Sequence, residues 1–380
     1  MSADVPERLG YRPGLDGIRA LAIVFVMASH AHPSLLKGGE LGVDVFFALS
    51  GFLITTVILE EVFRLDGGYG FVRFYVRRGL RLFPALYAML LAVVIYLAFR
   101  WNDLPEFLAT AGVHEPEHRR LYGRFLFGAA TYSTNLIGVL ATPGNFLGHT
   151  WSLALEQQFY LIWPVILVTF WRRRELRTLT WLVLGFILVC LAARLAGVPA
   201  DRGFLWMRPE AIAAGAFGAL IRWDQGRAHN FLRRNANVFS IIGLIVVVVV
   251  PLLKPRIIPG VYFDRGLVTL FGIGSAVLIY ALVEVKGRPL VVSLLTWRPI
   301  VRVGLISYGL YVWHLPVFRV VTWELPGLGG TANILVKVAI SVVVAEMSFR
   351  FIEQPFRQRQ ARFRTVEQRA GAAASGLDAH

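Results

Sequence analysis

Apolar residues fall in long runs along this chain, and the few polar positions inside them are mostly His, Glu, Asp, Arg and Ser. The runs over 82–99, 179–195, 238–253, 266–283 and 334–351 each approach the length at which a helix spans a hydrocarbon core. None alternates residue by residue, which excludes the strands of a membrane β-barrel. Further spans are expected over 15–32, 41–62, 151–170, 211–221 and 303–321, giving ten in all. A weaker stretch over 125–140 contains Thr131, Tyr132, Ser133, Thr134 and Asn135 in one block. The pattern predicts an all-α, polytopic transmembrane bundle of about ten spans plus one re-entrant or interfacial segment.

Charge decides how the weak stretch is treated, because Lys and Arg collect in the cytoplasmic loops. With the N-terminus inside and 125–140 not crossing, the inner loops and tail hold roughly 25 basic residues against about 10 outside. A crossing there would export the arginine run Arg172, Arg173, Arg174 and Arg177. Both termini are therefore expected in the cytoplasm, with the protein in the plasma membrane. Three regions follow: a lead over 1–14, a membrane domain over 15–355, and a basic tail over 356–380 expected to be disordered.

Composition supports the same class. Of 380 residues, 56% are hydrophobic and 17% charged, and the mean hydropathy is +0.59, outside the range of soluble domains. The net charge of +15 lies between the spans, which suits anionic lipid headgroups or an anionic donor rather than nucleic acid. Cys190 is the only cysteine, so no internal disulfide or cysteine-based metal site is expected. No cleavage site follows the first apolar stretch, which reads as a retained span.

The first span, LDGIRALAIVFVMASHAH, places Arg19 and His30 eleven positions apart. At helical pitch they lie within roughly 20° of one face and about 16 Å apart along the axis. A cation and an imidazole at two depths of one face mark a polar interior. The second span carries Asp44 near its outer end, with the small pair Ser50 and Gly51 that lets helices approach closely. Arg73, Arg77, Arg78 and Arg81 precede the third span, and the guanidinium forks of the last three suit phosphate oxygens. His149, Trp151, Ser152 and Glu156 gather at the outer end of the fourth span, where a carboxylate at membrane depth needs a partner or a proton. Ser152 is expected on the face of Glu156. Tyr308, Tyr311 and His314 recur every three residues in a later span, and Glu353 is expected to pair with Arg350 or Arg357.

This set of residues resembles acyltransferase family 3, the integral membrane O-acyltransferases. The similarity lies in the first-span Arg and His, FFALSGFLI from Phe46, the Arg78–Arg81 spacing, WSLALEQQFY from Trp151, SYGLYVWH from Ser307 and FIEQPFR from Phe351. It covers about residues 10 to 360. Gln157 departs from a pattern that more often has a second Glu. Some members carry an appended SGNH domain; none is expected here.

The resemblance implies transfer of an acyl group, acetyl above all, from cytosolic acyl-CoA to a hydroxyl of a saccharide or related acceptor. His30 is the expected general base, with Glu156 or Asp44 orienting it. Arg19, Arg77, Arg78 and Arg81 are the expected donor-binding residues, and His149, Trp151, Ser152, Tyr311 and His314 the expected acceptor-site residues. No permanently bound cofactor or metal is implied; acetyl-CoA is a co-substrate. The alternative class is a transporter or flippase for a saccharide or an anionic lipid-linked substrate.

Overall fold

The computed structural model describes residues 8–32, 35–100, 117–137, 145–197, 208–253 and 266–359. Every regular element among them is helical. Helix α1 is Pro13–Ala31, with Pro13 in its first turn, where the missing N–H leaves no bond unmade. It is followed by α2 (Gly42–Arg64), α3 (Phe71–Phe99), α4 (Glu117–Ala130), α5 (Thr150–Arg172) and α6 (Leu176–Leu195). The second half contains α7 (Pro209–Asp224), the short α8 (Arg227–Arg234), α9 (Ala236–Leu253) and α10 (Val268–Glu284). Last come α11 (Leu290–Leu295), α12 (Arg298–Leu305), α13 (Ser307–Glu324) and α14 (Gly330–Met347), which runs on through a π-helical turn at Ser348–Glu353.

Each of the ten expected spans coincides with one of these helices. Seven are long and apolar enough to cross a membrane alone, and α12 with α13 makes an eighth across a 66° bend. The other two, α7 and α10, have 16 and 17 residues. The weak stretch does not continue as a span among the described residues. Helix α4 ends at Ala130, and residues 131–137 turn back onto the start of α5. There Gln158 Nε2 donates to the Tyr132 carbonyl at 3.0 Å, Asn135 Nδ2 donates to Gln158 Oε1 at 3.0 Å, and Thr134 meets Thr150 at 3.0 Å. These bonds satisfy the polar block against protein, which is what irregular backbone at membrane depth requires. Residues 138–140 lie outside the described residues.

Two expected boundaries shift. Helix α1 begins at Pro13, inside the expected lead, and the last helix continues to Arg359, past the expected start of the tail. The rest of the tail lies outside the described residues.

The bundle exposes large apolar side chains and buries a set of charged ones in an otherwise apolar interior. Large apolar side chains such as Leu91, Ile162, Leu188 and Ile245 are exposed, whereas Asp16, Asp44, Glu61, Arg194, Glu210, His314 and Glu353 are buried. In water such a surface would aggregate; in lipid it is the solvated face.

Helices α2 and α7 cross closely. A Cβ on Gly51 would sit 1.9 Å from the Ile212 carbonyl, and one on Gly215 would sit 1.9 Å from that of Ala48. Only hydrogen fits at either position, so backbone packs on backbone. Helices α1, α3 and α13 run in one direction, with α2 and α5 antiparallel to them, so the bundle has an Arg19 end and a His30 end.

Candidate active site

Helix α1 carries His30 to α13, where His314 is fully buried. His30 Nδ1 lies 3.0 Å from His314 Nε2, and the rings stack with centroids 5.1 Å apart at 27°. On the far side of the His314 ring, Nδ1 lies 2.7 Å from the Tyr311 carbonyl oxygen. A carbonyl only accepts, so His314 carries its proton on Nδ1 and presents a lone pair at Nε2. His30 must then donate from Nδ1, and its own lone pair is left on Nε2. No hydrogen-bond partner meets that nitrogen among the described residues, and the His30 side chain is exposed.

The group hydrogen-bonded to His30 is thus His314, not Glu156 or Asp44. Asp44 is fully buried at the His30 end of α2, where Arg208 Nη1 donates to its Oδ2 at 2.7 Å. The Arg208 guanidinium also lies 5.5 Å from the Trp151 ring, which packs edge-on against Phe47. Glu156 accepts from Ser50 Oγ and Tyr160 OH in close contacts, and Tyr160 OH lies 2.9 Å from Ser50 Oγ. Ser50 therefore does more than let helices approach, and Tyr160 joins the polar interior unnoticed in the sequence, where an aromatic in an apolar run reads as packing.

Ser152 turns away from Glu156 and meets Tyr311 OH in a close contact. Tyr311 OH and Ser152 Oγ each lie 3.1 Å from the His149 carbonyl, while His149 Nε2 donates to the Val312 carbonyl at 3.0 Å. These bonds fasten the start of α5 to α13 within one turn of His314. The His149 and His314 rings lie 5.2 Å apart, edge to face, and His149 Nδ1 is buried with no partner.

At the Arg19 end the expected cationic patch divides. Arg77 Nη2 donates to Glu61 Oε2 at 2.9 Å, and Arg19 Nη1 to Asp16 Oδ1 at 2.6 Å. Arg78 instead lies over the Tyr160 ring at 4.0 Å, and its Nε is buried without an acceptor. The charges of Arg78, Arg19 and Arg357 all reach Arg81. Glu353 is 1% exposed and neither of its oxygens has a hydrogen bond. Arg350 pairs with Glu346 at 2.5 Å rather than with Glu353.

One helix thus joins a cluster of arginines to a histidine held by a second histidine. The sequence profile of an acyltransferase domain matches residues 12–345. The chain belongs to acyltransferase family 3.

Among its relatives in that family, YrhL of Bacillus subtilis is 29% identical over 360 residues, 91% of this chain and 55% of its own. The peptidoglycan O-acetyltransferase OatA of Listeria monocytogenes is 30% identical over 92% of this chain and 56% of its own. The O-acetyltransferase OatA of Staphylococcus aureus is 27% identical over 92% and 58%. The chain spans a little over half the length of these relatives. No solved structure matches it. In this family member the first-span His meets the helix beginning at Ser307, and the stretch beginning at Trp151 is bonded to that helix.

Proposed function

We propose that the protein transfers an acetyl group from cytosolic acetyl-CoA to a hydroxyl of a cell-envelope saccharide, with His30 as general base. The observation that carries this reading is the open Nε2 of His30, produced by the chain of donation through His314 to the Tyr311 carbonyl. An acceptor hydroxyl gives its proton to Nε2 while its oxygen attacks the thioester carbonyl. The tetrahedral intermediate collapses with cleavage of the C–S bond, and the CoA thiolate takes the proton back from the imidazolium. Through both steps His30 Nδ1–H remains bonded to His314, which keeps the ring in one orientation, the role a carboxylate has in a triad.

The donor fits the Arg19 end, which the charge pattern assigns to the cytoplasm. Arg78 and Arg81 offer guanidinium donors that form no ion pair with a carboxylate among the described residues, with Arg19, Arg357 and the buried Glu353 adjoining. Phosphates held there place the thioester a pantetheine arm away, and the Arg19 to His30 rise of about 16 Å matches such an arm. The names of the relatives supply the acceptor class, since the Listeria protein is a peptidoglycan O-acetyltransferase.

The test is purified protein in lipid nanodiscs, given radiolabelled acetyl-CoA and peptidoglycan glycan fragments. Release of CoA with label in alkali-labile ester on the glycan is the expected result. Intact acetyl-CoA, with labelled glycan moved across the bilayer in vesicles, would replace this reading with the transporter.

A further inference from the structure

Three hydrogen-bond donors stand without a carboxylate partner among the described residues, on the side of His30 that faces away from Arg19. Lys337 of α14 is 8% exposed, and among the described residues its ammonium meets only the Ala31 carbonyl at 3.4 Å and the Phe318 ring at 5.9 Å. Ala31 follows His30 at the end of α1, so this cation sits at the last turn of the helix that carries the base. Arg319 of α13 lies five residues beyond His314, about 7.5 Å further along the axis. Its Nε is buried without a partner, and its charge reaches both His30 and Lys337. Tyr122 of α4 is 4% exposed, its hydroxyl is buried without a partner, and it lies within the field of Arg319.

Among the described residues, the carboxylates of this end are engaged elsewhere. Glu324 takes Tyr96 OH at 2.7 Å and Arg100 Nε at 2.9 Å, and Asp44 takes Arg208. Glu40, whose charge reaches His30, also acts on Arg208. Lys337 is buried and Arg319 half-buried, neither with a counter-ion among the described residues, and such charges are costly at membrane depth unless a ligand completes them.

We infer that Arg319, Lys337 and Tyr122 form an anion subsite beside His30 that takes the carboxylate of an acidic saccharide acceptor. The placement separates two negative charges that the reaction would otherwise bring together. Donor phosphates belong to the Arg19 end, and this subsite lies past the base, on the acceptor's side. A carboxylate held by Lys337 and Arg319 would fix the sugar ring and leave a neighbouring hydroxyl to reach His30 Nε2. The inference rests on the acetyl-transfer reading for its purpose, though the binding itself does not need transfer to occur.

The test measures binding of a glucuronate-containing tetrasaccharide and its carboxyl-reduced counterpart to the full chain in phosphatidylcholine nanodiscs. The acidic form should bind at least about tenfold more tightly. Arg319→Gln and Lys337→Gln should each abolish that preference, and Arg319→Lys should keep most of it. Should either Gln variant fail to fold, Tyr122→Phe, which removes one neutral donor, should still reduce it. Equal binding of the two forms, no binding of either, or a preference unchanged in the variants would overturn the subsite. So would a preference lost on adding phosphatidylglycerol, which would assign the cations to lipid headgroups. CoA release is followed in the same discs: acetyl-CoA turnover without the preference sinks only the subsite, and the preference without turnover sinks only the transferase reading.

Discussion

His30 Nδ1 and His314 Nε2 stand 3.0 Å apart although 284 positions separate the residues in the chain. The contact joins α1 to α13 and leaves His30 Nε2 without a hydrogen-bond partner among the described residues. In the proposed reaction a neutral imidazole would orient the base as a carboxylate does, without adding a negative charge.

Replacing the base and replacing its partner should differ in size. His30→Ala is expected to lower turnover by on the order of 10²–10⁴ with CoA affinity nearly intact. His314→Gln can still donate and accept, so it should retain more activity than His314→Ala, and its loss should fall on kcat rather than KM. Steady-state kinetics on folded variants decides. A His30→Ala protein retaining more than about a tenth of the rate would remove His30 from the mechanism.

The arginines of α3 should separate by their partners. Arg78→Ala and Arg81→Ala are expected to weaken acetyl-CoA binding by about 1.5–3 kcal/mol each, read by calorimetry. Arg77→Ala should chiefly lower thermal stability, because it leaves Glu61, 5% exposed, without its ion-pair partner. Similar losses of CoA affinity in all three would show that pairing with Glu61 does not withhold Arg77 from the donor.

Arg194 and Glu210 form an ion pair in which each side chain is 1% exposed, with Thr269 donating to Glu210 at 3.1 Å. Removing one partner should cost about 3–5 kcal/mol, whereas Arg194→Met with Glu210→Leu should recover most of that loss. Unfolding of the three variants in detergent gives the comparison. Additive single costs would mean that the pair is not coupled.

Gly51→Leu should prevent the α2–α7 crossing, since its Cβ alone would overlap the Ile212 carbonyl. Loss of the monodisperse folded species in size-exclusion chromatography is expected. At Gly185, where nothing lies within 4 Å of an added Cβ, Gly185→Ala should be neutral by the same measure. A stable, active Gly51→Leu protein would show that the helices can part without cost.

A reporter fused after Arg177 should behave as cytoplasmic, given the charge distribution between the spans. An external signal there would place the arginines of the α5–α6 turn outside and invert every later loop.

The places of the apolar helices were legible from the sequence, although seven or eight of the ten expected spans are long and apolar enough to cross; bilayer thickness fixes how many apolar residues a span needs, and that count is local. The shared face of Arg19 and His30 was legible for the same reason: both lie on one helix, whose pitch sets their angle and separation. Over 125–137 the polar block was legible as well, and the structure bonds it to the start of α5. Pairing between helices was not legible. Asp44 and Glu156 were reasonable partners for His30 by depth, but the rotation of α2 turns Asp44 to Arg208, and that of α5 turns Glu156 to Ser50 and Tyr160. Arg319, Lys337 and Tyr122 carried no signal at all, each being a single polar residue on a different helix. Side chains on separate helices meet only when crossing angle, rotation and depth agree. Those are set by close contacts such as Gly51 on Ile212, which no single stretch of sequence contains.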